Sequence, residues 1–114
     1  MNKQGLVEIF NLLQKLGNVS YVVFYITNKK TIMFPVKEIN SYKKEILEYE
    51  ASFTAKRLNE LLDKGNRIKS ILIQMPELEK SAWYENIFIG KEELAKFLIE
   101  ALNKEIIDKM VKEL

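Results

Sequence analysis

The sequence predicts an α/β domain of the α+β kind, ordered helix, strand, strand, helix, strand, strand, helix around a central antiparallel sheet. One observation is a repeated phrase. Leu12-Leu13-Gln14-Lys15-Leu16-Gly17-Asn18 and Leu61-Leu62-Asp63-Lys64-Gly65-Asn66 each close a helical pattern with a Lys and a Gly-Asn stop. Glycine takes the left-handed conformation at a helix end without a Cβ clash, so both phrases read as C-caps. A second observation is that a β-branched, aromatic-rich apolar run follows each stop. The third is that those runs do not alternate. Val22-Val23-Phe24, Ile71-Leu72-Ile73 and Ile87-Phe88-Ile89 are consecutive, whereas a sheet with one wet face alternates apolar and polar residues. Cover on both faces is therefore expected, with the helices divided between the faces or a partner chain completing the cover. An α/β/α sandwich is the predicted architecture.

Each element has its own signal. Leu6, Ile9, Phe10, Leu13 and Leu16 recur at three- and four-residue spacing, predicting a helix over about residues 4–16. Val19–Thr27 and Thr31–Val36, broken by Asn28-Lys29-Lys30, read as a hairpin. Pro35 lacks an N–H, which places the end of the second strand at a sheet edge or outside the sheet. Ile39, Tyr42, Ile46, Tyr49, Phe53, Leu58, Leu61 and Leu62 predict a helix over about residues 38–64. It would be about 40 Å long at 1.5 Å per residue, and a phase change in its stripe places a kink near Ala51-Ser52. Ile68–Met75 is the third strand, Pro76–Lys80 a polar loop and Trp83–Ile89 the fourth strand. From Lys91 to Leu114, helix-forming Glu, Ala, Lys and Leu favour one long helix. The alternative is a fifth strand over Leu94–Ile99, with Asn103 capping a short final helix.

Composition limits the function classes. The 114 residues, 47% hydrophobic and 30% charged, suit one ordinary domain with a core of its own. Cysteine and histidine are both absent. That removes disulfides, thiolate nucleophiles and zinc thiolate sites, together with the commonest general base and metal ligand. Apolar stretches such as Tyr21–Ile26 are far below the roughly 18 residues of a membrane span. No charged-then-apolar leader opens the chain, so a cytoplasmic location is expected, with the sequon Asn18-Val19-Ser20 unglycosylated.

Motif by motif, the bland reading prevails. Gly5, Gly17, Gly65 and Gly90 are scattered, whereas a phosphate-cradling loop clusters its glycines before a helix. The acid pairs Glu45/Glu48, Glu77/Glu79 and Glu92/Glu93 have no histidine beside them. The first reads as a solvated helix face next to Lys43 and Lys44, and the last as first-turn acids favoured by the helix dipole. The nuclease tripeptide Glu-x-Lys does not occur. Ser41-Tyr42-Lys43-Lys44 matches the Ser-x-x-Lys of serine acyltransferases, but an N-cap at Asn40-Ser41 explains it more simply. No catalytic residue, cofactor site or metal site is expected.

Nucleic acid is the alternative to a protein partner. Lys56, Arg57, Lys64, Arg67 and Lys69 cluster in sequence around the end of the middle helix and the third strand. Lys29 and Lys30 occupy a hairpin tip, and Tyr21 and Tyr25 share one strand face, where tyrosines beside lysines can stack bases. Eighteen basic and 16 acidic residues leave a net charge of only +2, which is poor for phosphate binding. Tyr21 and Tyr25 are therefore read as core or interface residues.

By Leu12-Leu13 before Gly17, the hairpin Val19–Val36, and the helix Ala51–Leu62 leading through Gly65 into Ile68–Met75, the layout resembles the roadblock/dynein light chain family. Profilin-like and longin-like domains have related layouts. The resemblance implies a non-enzymatic homodimer built by the middle helix and the following strand. That would put Ala55, Leu58 and Leu62, with Ile68, Ser70 and Leu72, at or near the interface. It also implies partners such as small Ras-like GTPases and motor or signalling scaffolds. The expected function is thus a homodimeric interaction or regulatory module. The alternative is a small protein of viral or plasmid type that binds nucleic acid or blocks a host factor.

Overall fold

A computed structural model describes residues 3–17, 19–36, 44–75 and 80–113. Its elements are α1 (Lys3–Leu16), β1 (Tyr21–Ile26), β2 (Lys30–Pro35), α2 (Lys44–Asp63), β3 (Ile68–Met75), β4 (Lys80–Tyr84) and α3 (Lys91–Glu113). The four strands form one antiparallel sheet in the order β2-β1-β3-β4, so β1 and β3 are interior and β2 and β4 are edges. Pro35 ends the edge strand β2, where a missing N–H breaks no interior ladder. The segment Leu94–Ile99 lies within the helix α3. Residues 38–43, the Ser41–Lys44 motif apart from Lys44, and most of the Pro76–Lys80 loop fall outside the described residues. Among the described residues no helix is long and apolar enough to cross a membrane.

Both glycine stops lie where the repeated phrase puts them. Gly17 and Gly65 each have φ +88°, in the left-handed region. The Gly17 N–H donates to the Leu13 carbonyl at 3.1 Å, and the Gly65 N–H to the Leu62 carbonyl at 3.1 Å. At α1, Lys109 of α3 adds its Nζ to the Leu16 carbonyl at 2.9 Å, a cation at a helix C-terminus. At the start of α3, the Gly90 N–H donates to Glu93 Oε2 at 2.8 Å, which is half of a capping box.

One core holds these parts together. Ile9, Leu13 and Leu16 of α1, Leu58 and Leu62 of α2, and Leu94, Leu98, Leu102 and Ile106 of α3 form a single cluster. They share it with Val22, Phe24 and Ile26, Ile32 and Phe34, Ile71, Ile73 and Met75, and Ala82. By register those strand residues all belong to one sheet face: Phe24 pairs with Ile32 and Ile71, and Val22 with Phe34 and Ile73. The three described helices therefore pack on the same face. The expectation of helices on both faces is replaced, among the described residues, by a two-layer arrangement. The consecutive apolar runs have a different cause, described below with the second face.

The fourth strand also ends earlier than its apolar run. Past Tyr84 the chain turns through Asn86 (φ 55°), and Ile87 and Ile89 then rejoin the start of β3. The Ile89 carbonyl accepts from the Ile68 N–H at 2.8 Å, and the Ile87 N–H donates to the Lys69 carbonyl at 2.9 Å. Where β4 meets α3, the Tyr84 hydroxyl donates to Oε1 of the buried Glu105 at 3.0 Å, and its ring meets Phe97 edge-on at 5.5 Å. Burial, then the Glu105 charge and hydrogen bond, with Asp108 contributing, raise the Tyr84 hydroxyl well above its ordinary pKa.

Two outcomes follow. Alanine at Gly17 or Gly65 costs about 1–3 kcal/mol each in urea denaturation, because a Cβ must then occupy the left-handed region. At Gly65 nothing lies within 4 Å of an added Cβ, so the cost there is backbone strain alone, and asparagine recovers part of it. For Tyr84, the native state holds the phenolic proton more tightly than the unfolded chain does. The stability this contributes is intact below about pH 10 and falls as pH rises toward the raised native value, by up to about 1.4 kcal/mol per pH unit. Denaturation curves taken from pH 8 to 11 therefore lose more stability per unit above pH 10 in the parent than in Tyr84→Phe.

Candidate functional site

The sheet face that carries no helix among the described residues is the most distinctive surface. It carries Tyr21, Val23 and Tyr25 from β1, Thr31 and Met33 from β2, Ser70, Leu72 and Gln74 from β3, and Ser81 and Trp83 from β4, placed together by register. None of these residues is charged, in a chain whose residues are 30% charged. Met33 is 56% exposed and Trp83 50%, while Val23 and Leu72 between them are only 7% exposed. This is why the apolar runs are consecutive. Val23 pairs with Met33 and Leu72, and Leu72 with Trp83, so large cross-strand neighbours on the same face flank the two central residues. The rings of Tyr25 and Trp83 stack at 5.6 Å with a 20° interplanar angle, although β3 lies between their strands. Ser70, paired with Tyr25, is small enough to lie beneath that stack and is buried. At the other end of the face, Ser81 Oγ donates to Gln74 Oε1 at 2.6 Å.

Charge gathers at one end of this face. The β1–β2 turn has positive φ at Asn28 (65°) and Lys29 (59°). A register shift between Tyr25 and Ile26 leaves Lys69 as the extra residue of a β-bulge in β3. Phe88, on the segment that rejoins β3, has φ 47° and is 48% exposed. These three places border an open cleft of about 560 Å³ lined by Tyr25, Ile26, Thr27, Asn28, Lys29, Lys30, Thr31, Lys69 and Phe88. Among the described residues no carboxylate lines it.

Asn66 fastens the turn to the body of the chain. Its Oδ1 accepts from Asn28 Nδ2 at 2.8 Å and from Thr27 Oγ1 at 3.5 Å, and its Nδ2 donates to the Leu61 carbonyl at 2.9 Å. Thr27 and Arg67 exchange a further pair of bonds, Thr27 N–H to the Arg67 carbonyl and Arg67 N–H to Thr27 Oγ1, both at 3.0 Å. The asparagine of the second Gly-Asn stop thus joins the end of α2 to the hairpin tip.

The residues predicted from the sequence fall into separate groups. Leu58, Leu62 and Ile68 belong to the core, and Ala55 is buried as well, so their side chains are engaged within one chain. Ser70 and Leu72 lie on the helix-free face, where the strand contribution expected for a dimer remains open. β3 is interior to the sheet, so its backbone is paired on both sides. The five basic residues lie on α2, on the turn after it, and at the start of β3. Lys56 and Arg57 are exposed on α2, with the Arg57 guanidinium 5.9 Å from the Phe53 ring centroid, and Lys64 sits in the turn after that helix. Arg67 and Lys69 lie instead beside the hairpin tip, with Lys29 and Lys30.

No protein-family model, curated protein or solved structure matches this chain.

The Asn66 contacts set an expectation. Asn66→Ala removes the acceptor of Asn28 and the donor to Leu61, costing about 1–3 kcal/mol in urea denaturation. Amide hydrogen exchange at residues 27–30 then speeds up ahead of exchange in β1 and β3. Equal acceleration throughout the sheet would show that Asn66 supports the fold generally and does not act as a local fastener.

Proposed function

We propose that this chain is a non-enzymatic interaction module that associates with a second copy of itself through the helix-free face of its sheet. The observation that carries the reading is the uncharged character of that face around Val23, Met33, Leu72 and Trp83. Charged side chains are depleted at the centre of protein–protein interfaces, and Trp, Tyr and Met are enriched there. A two-fold dimer sets one patch against its own copy, so an uncharged apolar patch meets its partner without like-charge repulsion. A sheet face of this kind also satisfies its backbone hydrogen bonds within the sheet before any partner arrives, so association desolvates mainly apolar side chains.

In this reading the dimer surface is the sheet face, with Leu72 and Ser70 as its middle strand. The helical residues Ala55, Leu58 and Leu62 support it from within. A heterologous protein, such as the small Ras-like GTPase the family resemblance implies, would use surface outside the dimer. The exposed apolar end of α3, with Ile107, Met110 and Val111, offers such a surface.

Light scattering coupled to size exclusion tests the dimer directly. The parent is expected at twice the 13.4 kDa of one chain, and Met33→Lys with Trp83→Lys at the chain mass, with the circular dichroism of both unchanged. Both side chains are at least half exposed, but they also flank Val23 and Leu72, so a thermal melt of the double variant accompanies the mass measurement and shows that the monomer remains folded. Ile107→Lys with Val111→Lys is the control and leaves the parent mass unchanged. A parent that remains monomeric at high concentration, or a dimer dissolved only by the control pair, would rule the sheet-face dimer out.

A further inference from the structure

We propose that the cleft between the hairpin tip and the β3 bulge binds single-stranded nucleic acid, with a base on the Phe88 and Tyr25 rings and phosphates on Lys29, Lys30 and Lys69. This goes beyond the dimer: the cleft lies at the charged end of the sheet face and shares only Tyr25 and Thr31 with it, and the test below reads the two separately.

Backbone strain is the first observation. Among the described residues only four non-glycines have positive φ, and three of them, Asn28, Lys29 and Phe88, line this one cleft. Asparagine tolerates that region, but lysine and phenylalanine occupy it at a steric cost that glycine would avoid. At Phe88 a second cost is added, since the ring is 48% exposed instead of packed in the core. At Asn28 and Lys29 the positive φ also suits the hairpin turn itself, so Phe88 is the residue whose left-handed backbone the turn does not explain. Strain of this kind concentrates where side chains are held out for a ligand. The Arg67 Nη1 lies 3.5 Å from the Phe88 carbonyl, bracing the strained segment from the β3 side.

Charge and chemistry then select the ligand. The whole chain has nearly as many acids as bases, 16 against 18, yet the cleft has three amines and no carboxylate. Among the described residues, Lys29, Lys30 and Lys69 have no ion-pair partner. Two aromatic rings beside three unpaired cations suit a ligand that combines planar π-faces with repeated negative charge. An unpaired nucleotide strand has both, because stacking is tolerant of base identity and each link adds a phosphate. The amines come from two separate segments, the hairpin and the bulge, which suits several phosphates better than the single phosphate of a phosphotyrosine peptide. The stack of Trp83 on Tyr25 fixes one wall of the cleft from the neutral part of the face.

Fluorescence anisotropy of a labelled twelve-nucleotide oligo-dT and oligo-U, titrated with the full chain across a salt series, is the test. The expected result is binding whose log K falls with log salt by about 0.7 per phosphate contacted, so about 2 for three contacts. Lys29→Gln and Lys69→Gln should each reduce that slope by about 0.7, and Phe88→Gly should weaken binding on the order of tenfold without changing the slope. Phe88→Gly relieves the left-handed strain but removes a half-exposed ring, so a thermal melt is run on each variant, and the expected result is weaker binding by a chain that still melts cooperatively above the assay temperature. Light scattering on the same samples keeps the result separate from the dimer, because these variants should retain the parent mass. Absence of binding at low salt, or slopes unaltered by the lysine variants, would overturn the proposal. So would displacement of the strand by a mononucleotide or a phosphotyrosine peptide at equal concentration, each of which would assign the cleft to a different ligand.

Discussion

All three helices depend on a single apolar face of the sheet. Ile71 and Ile73, at its centre on β3, have no solvent exposure, and they share one core with the buried stripes of α1, α2 and α3. Burial of such side chains contributes roughly 1.5–3 kcal/mol each, far more than any cap or surface ion pair in the chain. The caps instead determine where each helix stops, so that the stripes of α1, α2 and α3 arrive together. Lys109 on the Leu16 carbonyl shows the principle: a residue of the last helix closes the first across the whole length of the sequence.

Gathering the helices on one face divides the sheet into surfaces with different chemistry. One side is a helical layer in which Lys91 and Asp63 pair at 3.0 Å between α3 and α2, while Glu105 is buried against Tyr84. The other side is neutral and aromatic through its middle, with positive charge confined to the end where the hairpin turns. A patch without charge and a cleft without acid lie side by side, and each has a different kind of partner. The first suits a like surface, the second a polyanion.

Much of the fold is legible in the sequence because the punctuation is local. Gly17 and Gly65 mark helix ends by a backbone preference that needs no tertiary context, and the hairpin around Asn28-Lys29 is equally local. The number of covered sheet faces is not local. Val23 and Leu72 look like residues buried under a second helical layer, and their low exposure agrees with that. Their cover comes from Met33, Trp83 and Tyr25, which are distant in sequence and recognisable only once the register is known. The grouping of the basic residues also has a part that is not local. Proximity in sequence grouped Lys69 with Lys56 and Arg57, whereas strand pairing and a bulge group it with Lys29, Lys30 and Phe88. The role of Asn66 is half legible: its place in a helix stop is a sequence feature, and its bonds to Thr27 and Asn28 are not.

Those bonds give Asn66 a consequence of its own. One side chain holds the last turn of α2 with its amide nitrogen and the hairpin tip with its amide oxygen, so neither can shift without straining the other. The tip borders the open side of the sheet, whereas α2 covers the opposite side. A molecule that stills the tip would therefore reduce the fraying of a helix it never touches, and fraying of that helix would loosen the site. Besides the shared core, one amide links the end of α2 to the hairpin tip, giving the domain a route by which occupancy on one side can be sensed as rigidity on the other.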